Sequence, residues 1–200
     1  IEKLDGHIEN MRCITVDSKD HTYLVGETFI TTHNTSMLNA LTGFYKPKVR
    51  IITIEDNLEM KPNPKKFLAA ALETRPPSLE RANDHGVTMR DLVKGSLQMR
   101  PDVIIVGEVT DDAAYDLCQA LNTGHAGAST IHANGSEQAM TRIASLIAQG
   151  GLVTTDGALD MIASAFDIVV SIKHFPLDGS RRIVSVDEVG MEPVEVAGRQ

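Results

Sequence analysis

The sequence predicts an α/β protein, with a mostly parallel sheet covered by helices over residues 35–200 and a short all-β segment ahead of it over residues 1–34. Three observations carry this expectation. Val103-Ile104-Ile105-Val106 is a continuously apolar run between Pro101 and Gly107, the pattern of a strand buried on both faces. From Thr35 onward strand patterns alternate with helical ones, as parallel strands joined by helices require. Before Thr35 there are only short alternating runs separated by turn residues, with nothing helical among them.

In the first segment Met11 to Val16 alternates, Asp17 to Asp20 supply a turn, and Thr22 to Val25 and Phe29 to Thr32 lie on either side of Gly26. In the second, Ser36 to Thr42 reads as a helix stopped by Gly43, and Arg50 to Ile54 as a buried strand. Beyond the Pro-rich Lys61 to Lys65, the segment Phe67 to Thr74 and the turn-rich stretch from Arg75-Pro76-Pro77 to Gly86 read as a loop or an edge element. Thr88 caps a helix running through Leu92 and Leu97, ahead of the central strand Val103 to Val106. Helix Asp111 to Leu121, strand Ala126 to Thr130, helices Ser136 to Ala148 and Gly157 to Phe166, and strands Ile168 to Lys173 and Arg182 to Val189 complete the series. There is no internal repeat and no low-complexity segment.

Composition narrows the function classes. A chain of 200 residues that is 42% hydrophobic can bury a sizeable core. Its net charge of -8 argues against a broad nucleic-acid surface, which needs clustered Lys and Arg. Two cysteines, Cys13 and Cys118, do not make a disulfide scaffold and suit a reducing cytoplasm. No apolar run approaches the roughly 18 residues of a membrane helix, so any membrane association is expected to go through a partner. The chain opens on Ile1 rather than Met, and the expectation is a fragment or a processed product.

The junction His33-Asn34-Thr35-Ser36 carries unusual chemistry. An Asn amide nitrogen can attack its own backbone carbonyl, closing a succinimide and cleaving the following peptide bond. His33 can supply a proton, His21 can orient groups or act as base, and the Thr35 hydroxyl can take over an acyl chain. Taken singly these residues are ordinary: a surface histidine, a buried small Cys13, a chance His-Asn pair. A Cys/His metal site would need paired ligand spacing, which is missing. In order, however, residues 11 to 34, MRCITVDSKDHTYLVGETFITTHN, resemble the C-terminal end of an intein, with Cys13, His21, Thr32, His33 and Asn34 at its closing motifs and Thr35 as acceptor. Many inteins have Asp where Cys13 stands. Cys13 with Thr32 resembles the class in which this Cys is a branching nucleophile, but that class also uses a Trp and this chain has none, so both classes stay open.

A second resemblance begins at the same bond. Phosphate loops follow Gly-x-x-x-x-Gly-Lys-[Ser/Thr], and Thr35-Ser36 open a helix with no Gly-rich loop or Lys before them. Two strands end in acidic residues, Glu55-Asp56 and Gly107-Glu108, at the edge where parallel sheets bind ligands. Gly124-His125 and Ser129-Thr130-Ile131-His132 surround another strand. The strings TSMLNALTGF, TIEDNLE, LETRPPSLE, RDLVKGSLQMRPDVIIVGEV and NTGHAGASTIHAN, over about residues 35 to 190, resemble the type II/type IV secretion ATPases, in particular the tight-adherence (Flp) pilus branch. The resemblance implies a RecA-like P-loop NTPase core with ATP and Mg²⁺ as cofactors. It makes Thr35 the Mg²⁺-binding hydroxyl beside Ser36, Glu55 and Asp56 the acidic-box carboxylates, Glu108 the catalytic glutamate, and His125 and His132 nucleotide-sensing histidines. Arg75 would reach phosphate or a neighbouring subunit. Where the family commonly has Arg, this chain has Thr110, and the family's N-terminal domain is absent.

Together the resemblances imply an ATP-hydrolysing motor for pilus assembly or secretion, interrupted in its phosphate loop by an intein that splices out between Asn34 and Thr35. The isolated chain would be inactive as an ATPase. The implied partners are a homohexamer, an inner-membrane platform protein, and the N-terminal half of ATPase and intein, with no nucleic acid. Its location would be cytoplasmic, peripheral at the inner face of the cell membrane. The alternative is a trans-splicing intein fragment with the ATPase part as passenger.

Overall fold

The computed structural model describes residues 24–25, 30–31, 34–78, 84–111, 113–175, 177 and 180–190. The strand expected at Met11 to Val16 and the splicing residues Cys13, His21, Thr32 and His33 lie outside them. Of the all-β segment, β1 (Leu24–Val25) and β2 (Ile30–Thr31) pair antiparallel.

Helix α1 (Asn34–Thr42) starts two residues earlier than expected, so the Asn34-Thr35 bond lies in its first turn. β3 (Arg50–Glu55), β4 (Leu68–Glu73), α2 (Met89–Leu97), β5 (Val103–Val106), α3 (Ala113–Asn122) and β6 (Ala126–Ser129) follow. The four strands form one sheet, parallel throughout, in the order β4-β3-β5-β6. Phe67 to Thr74, ambiguous in sequence, contains the edge strand β4: its Ala-rich Leu68-Ala69-Ala70-Ala71-Leu72 lacks the β-branched signature, and pairing along the whole of β3 imposes the extended form. The cap of α2 is as expected. The Thr88 hydroxyl accepts from the Asp91 N–H and the Asp91 carboxylate accepts from the Thr88 N–H, a reciprocal capping box. Asp111, expected inside α3, sits just ahead of it and accepts from the Ala113 N–H at 2.9 Å.

β5 is buried along its whole length, which is why its sequence is uniformly apolar. On one face of the sheet Ile52, Ile54, Ile104 and Val106 pack with residues of α2, α3, α4 (Ser136–Gln149) and α5 (Thr155–Ala165). On the other face Ile51, Val103 and Ile105 meet Leu38 of α1 together with Met60 and Phe67 of the β3–β4 connection. Each fully buried aliphatic side chain contributes about 1.5–3 kcal/mol relative to exposure. β7 (Ile168–His174) and β8 (Arg181–Glu188) form a separate antiparallel ribbon, because a connection this short can only reverse the chain. Ser136 at the start of α4 hydrogen-bonds Ser171 of β7 and Asp187 of β8, tying the ribbon to that helix.

Candidate functional site

Parallel strands bring their carboxyl ends to one edge, and the acidic residues collect there. Glu55 is the last residue of β3 and is only 3% exposed. Its Oε1 accepts from the backbone N–H groups of Glu59 at 3.1 Å and Met60 at 3.0 Å, so the chain leaving β3 folds back over the carboxylate. Burial raises the Glu55 pKa, opposed by those two amide donors and helped by the charges of Glu59 and Glu73. Gly107 makes the approach possible. A Cβ there would lie 2.9 Å from Glu55 Cγ.

Glu108, next in the chain, is half-exposed, with Oε1 3.6 Å from Nε2 of His132. Two bonds hold this pair in place: the Thr130 hydroxyl donates to the Gly107 carbonyl at 2.6 Å, and the Val109 N–H donates to the Thr130 carbonyl at 2.9 Å. They join the segment after β5 to the segment after β6. Neither Gly107 nor Thr130 stands out as a functional residue in the sequence, since the work of both is to position neighbours.

Helix α1 opens on the same edge. The Thr35 hydroxyl donates to Glu59 Oε2 at 2.8 Å, and Asn39 Oδ1 accepts from the Lys61 N–H at 2.9 Å, fastening the helix to the chain that leaves β3. Ser36 is 2% exposed, and its Oγ has no hydrogen-bond partner among the described residues. The first turn of α1 contains no acidic residue of its own, and the carboxylate that meets it is that of Glu59.

Three expected site residues are held by other partners. Asp56 accepts from the Thr74 hydroxyl at 2.8 Å, on the β4 side. Arg75 forms a two-pronged pair with Asp84, at 2.6 and 2.8 Å, within its own loop. His125 precedes β6, with Nδ1 3.0 Å from the Ala120 carbonyl oxygen. It therefore lies at the amino edge of the sheet, a strand length of roughly 13 Å from the Glu108–His132 pair.

The Arg75–Asp84 clasp gives a first expected result. Asp84 also accepts from the Ser78 and Gly86 N–H groups, and Gly86 adopts φ 72°, where an added Cβ would lie 2.4 Å from the Arg75 carbonyl. The Arg75 guanidinium, with these amides, holds the Asp84 carboxyl well below the usual carboxylate range. Because the folded value is depressed, its contribution is complete above the unfolded value and is lost only as pH falls through the folded one. In a carboxyl NMR titration Asp84 should stay ionised at the pH where exposed aspartates protonate, and Arg75→Ala should bring it back among them.

Glu55 has the opposite sign. A raised carboxyl pKa means stability that is present at low pH and lost as pH rises through the folded value, so ionised Glu55 is a liability at neutrality. Glu55→Gln keeps an acceptor for the Glu59 and Met60 amides and removes the charge. Its melting temperature at pH 7 should exceed that of the parent chain, and the gap should close as pH falls toward 4; calorimetry across that range measures both.

The donors present fit half of a nucleotide site: two hydroxyls at the start of α1, one of them buried without a partner, facing an edge with two carboxylates. With Thr35 as the last residue of the phosphate-loop pattern, its two glycines and lysine would fall at positions 28, 33 and 34. Those positions hold Thr28, His33 and Asn34.

A family model described as "Type II/IV secretion system protein" matches residues 28–184, most of the chain and including these three positions. The chain belongs to the type II/IV secretion system protein family. Among its relatives, VirB11 of Agrobacterium fabrum is 36% identical over 146 residues, covering 70% of this chain and 40% of that protein. An uncharacterized protein of Methanocaldococcus jannaschii is 36% identical over 130 residues, covering 65% of this chain and 46% of that protein. Among solved structures, the VirB11 ATPase of the Brucella suis type IV secretion system, in complex with sulphate, is 26% identical with a TM-score of 0.67, covering 77% of this chain and 44% of that one. The pilus retraction motor PilT with bound ADP shares the fold, at 24% identity and a TM-score of 0.57, over 81% of this chain and 44% of that one. This secretion-family chain thus spans less than half the length of these relatives.

Proposed function

We propose that the chain is the C-terminal portion of an ATP-hydrolysing motor for secretion or pilus assembly, whose phosphate loop is interrupted between Asn34 and Thr35 by an intein ending at Asn34. The observation that carries the motor reading is the meeting, at one edge of a parallel sheet, of the start of α1 with Glu55 and the Glu108–His132 pair. In this reading the hydroxyls of Thr35 and Ser36 would hold Mg²⁺ and a phosphate oxygen when the nucleotide is bound. The bound MgATP supplies the γ-phosphoryl group. Glu108 orients a water and takes its proton, while His132 steadies the Glu108 carboxylate. Glu55, enclosed by Glu59 and Met60, shapes the edge rather than contacting water.

The pilus assignment and the tight-adherence branch rest on the sequence strings, as do the homohexamer, the membrane platform protein, and a cytoplasmic site at the inner face of the membrane. Among the described residues no helix is long and apolar enough to cross a membrane. The domains divide at residues 1–34 and 35–200, and the roles of Asp56 as an acidic-box carboxylate, His125 as a nucleotide-sensing histidine and Arg75 in reaching phosphate or a neighbouring subunit rest on the sequence strings as well.

The interruption rests on positions 28, 33 and 34, where the family match runs on without the glycines and lysine of the loop, while His33-Asn34 supply a cleaving pair. The Asn34 side-chain nitrogen attacks the Asn34 carbonyl carbon, the Asn34-Thr35 bond breaks, and Thr35 keeps the new amine. Before that step the Thr35 oxygen takes the acyl group of the upstream portion from the ester or thioester that holds it, whose oxygen or sulfur leaves with the intein; the freed Thr35 amine then displaces the Thr35 oxygen to give a peptide bond. If the halves are separate polypeptides, the chain's own activity is trans-splicing. Mixing the chain with an N-terminal half and weighing the products tests this: loss of residues 1–34 with ligation supports splicing, and no ligated product refutes it. ATP turnover by the ligated product, and none by the isolated chain, tests the motor.

A further inference from the structure

The two ends of the parallel sheet carry opposite charge. Around the carboxyl edge stand Glu55, Asp56, Glu59, Glu73 and Glu108. The amino edge, where α1 ends and β3 and β4 begin, is built from residues 40–50 and 61–68. These two segments hold Lys46, Lys48, Arg50, Lys61, Lys65 and Lys66, and no acidic residue. With those six set aside, the chain's charge of -8 becomes -14, so one cationic edge stands against an anionic remainder. The Lys48 N–H donates to the Lys66 carbonyl at 2.7 Å and the Leu68 N–H to the Val49 carbonyl at 3.0 Å, which fastens the segments side by side. Lys66 serves the fold, its Nζ donating to the Gly43 carbonyl at the end of α1. Asp102, the acidic residue at the start of β5, accepts from the Arg50 N–H at 2.7 Å. The side chains of Lys46, Lys48, Lys61 and Lys65 are exposed and make no hydrogen bond or ion pair among the described residues.

Two further observations set this edge apart from an ordinary solvated charge run. Among the described residues the non-glycine residues at positive φ are Lys48, at 69°, and Arg100, at 52°. A Cβ disfavours that conformation, yet both positions carry an exposed basic side chain, and Arg100 lies on the same edge, just ahead of β5. Apolar side chains are set between the cations: Phe44 is 69% exposed, Leu68 59% and Leu41 40%.

We propose that this amino edge seats the chain on an anionic lipid surface, with the lysines against the headgroups and Phe44 and Leu68 entering the boundary between headgroups and acyl chains. This rests on the reading of a motor at the inner face of the membrane, and adds direct lipid contact where membrane association was expected to go through a partner. A single nucleic-acid strand is held by successive stacking rings, whereas the exposed apolar groups here are one ring and two leucines. Seated this way, the carboxyl edge lies a strand length of roughly 13–20 Å from the lipid and stays open to nucleotide.

The full chain carrying Phe44→Trp tests this directly, because the sequence has no other tryptophan. In about 0.1 M salt, vesicles of equal parts phosphatidylglycerol and phosphatidylethanolamine should shift its emission to the blue and carry it into the pellet. Phosphatidylcholine vesicles should do neither. Lys46→Glu together with Lys65→Glu should weaken binding to the anionic vesicles at least about tenfold. Arg142→Glu together with Lys173→Glu makes the same change in net charge away from this edge, and should leave binding within about twofold of the parent. No blue shift, equal binding to phosphatidylcholine, equal loss in the two double variants, or tighter binding to a DNA strand than to the anionic vesicles would overturn the proposal. Vesicle binding needs neither ATP turnover nor splicing. Its failure therefore leaves the motor reading standing, and a motor that fails to turn over leaves the lipid edge standing.

Discussion

In the completed motor, Glu108→Gln is expected to lower ATP turnover by about 10²–10⁴-fold while nucleotide binding persists. The reason is geometric. Glu108 is half-exposed at the carboxyl edge, its charge met among the described residues only by His132 at 3.6 Å, so its oxygens are open to a water. Glu55 is its foil. Buried, with Oε1 already accepting from two backbone amides, it is closed to an attacking water, and Glu55→Gln should reduce turnover far less while raising thermal stability. Turnover and nucleotide affinity measured side by side separate the two. A Glu108→Gln motor that turns over normally, or a Glu55→Gln motor that loses as much, would exchange their roles. His132→Ala should fall between, because an exposed pair at this distance is worth little by itself.

The contrast between these two glutamates also shows how far a sequence reaches. Both end strands and both precede an acidic or polar turn, so pattern alone makes them equivalent. What separates them is the path of residues 56–60, which closes over Glu55, and a glycine at position 107 that allows it. The buried strand β5 and the Thr88 cap of α2 were legible, since a both-sides-buried strand and a hydroxyl cap are local patterns. β4 was not, because alanines carry no strand signal and its form comes from β3. The pairing of β7 with β8 follows from the short link between them. His125 and His132 share one sequence box seven residues apart, yet a four-residue strand sends them to opposite edges. Proximity in sequence suggested one cluster, and strand geometry divides it.

Thr35→Ala is expected to break both activities, each with its own signature. In splicing, Thr35 supplies the oxygen that receives the upstream acyl group, but it takes no part in the attack of the Asn34 side chain on the Asn34 carbonyl. The alanine variant should therefore still release residues 1–34 by cyclisation while yielding no ligated product, a difference that mass spectrometry reads directly. The same hydroxyl, proposed as the motor's magnesium ligand, stands at the start of α1 with Glu59 Oε2 as its present partner, 2.8 Å away. Supplying the alanine in an uninterrupted motor should depress turnover and weaken its dependence on Mg²⁺. Thr35→Ser retains the oxygen and should retain both activities, although with a primary alcohol and more rotamer freedom. A hydroxyl is the common demand: an inteinless loop needs one for the metal, and a splice junction needs one, or a thiol, for the acyl group. Ligation by the alanine variant would end the splicing role of Thr35, and unchanged Mg²⁺ dependence would end its motor role. The two outcomes are independent, so each assignment stands or falls alone.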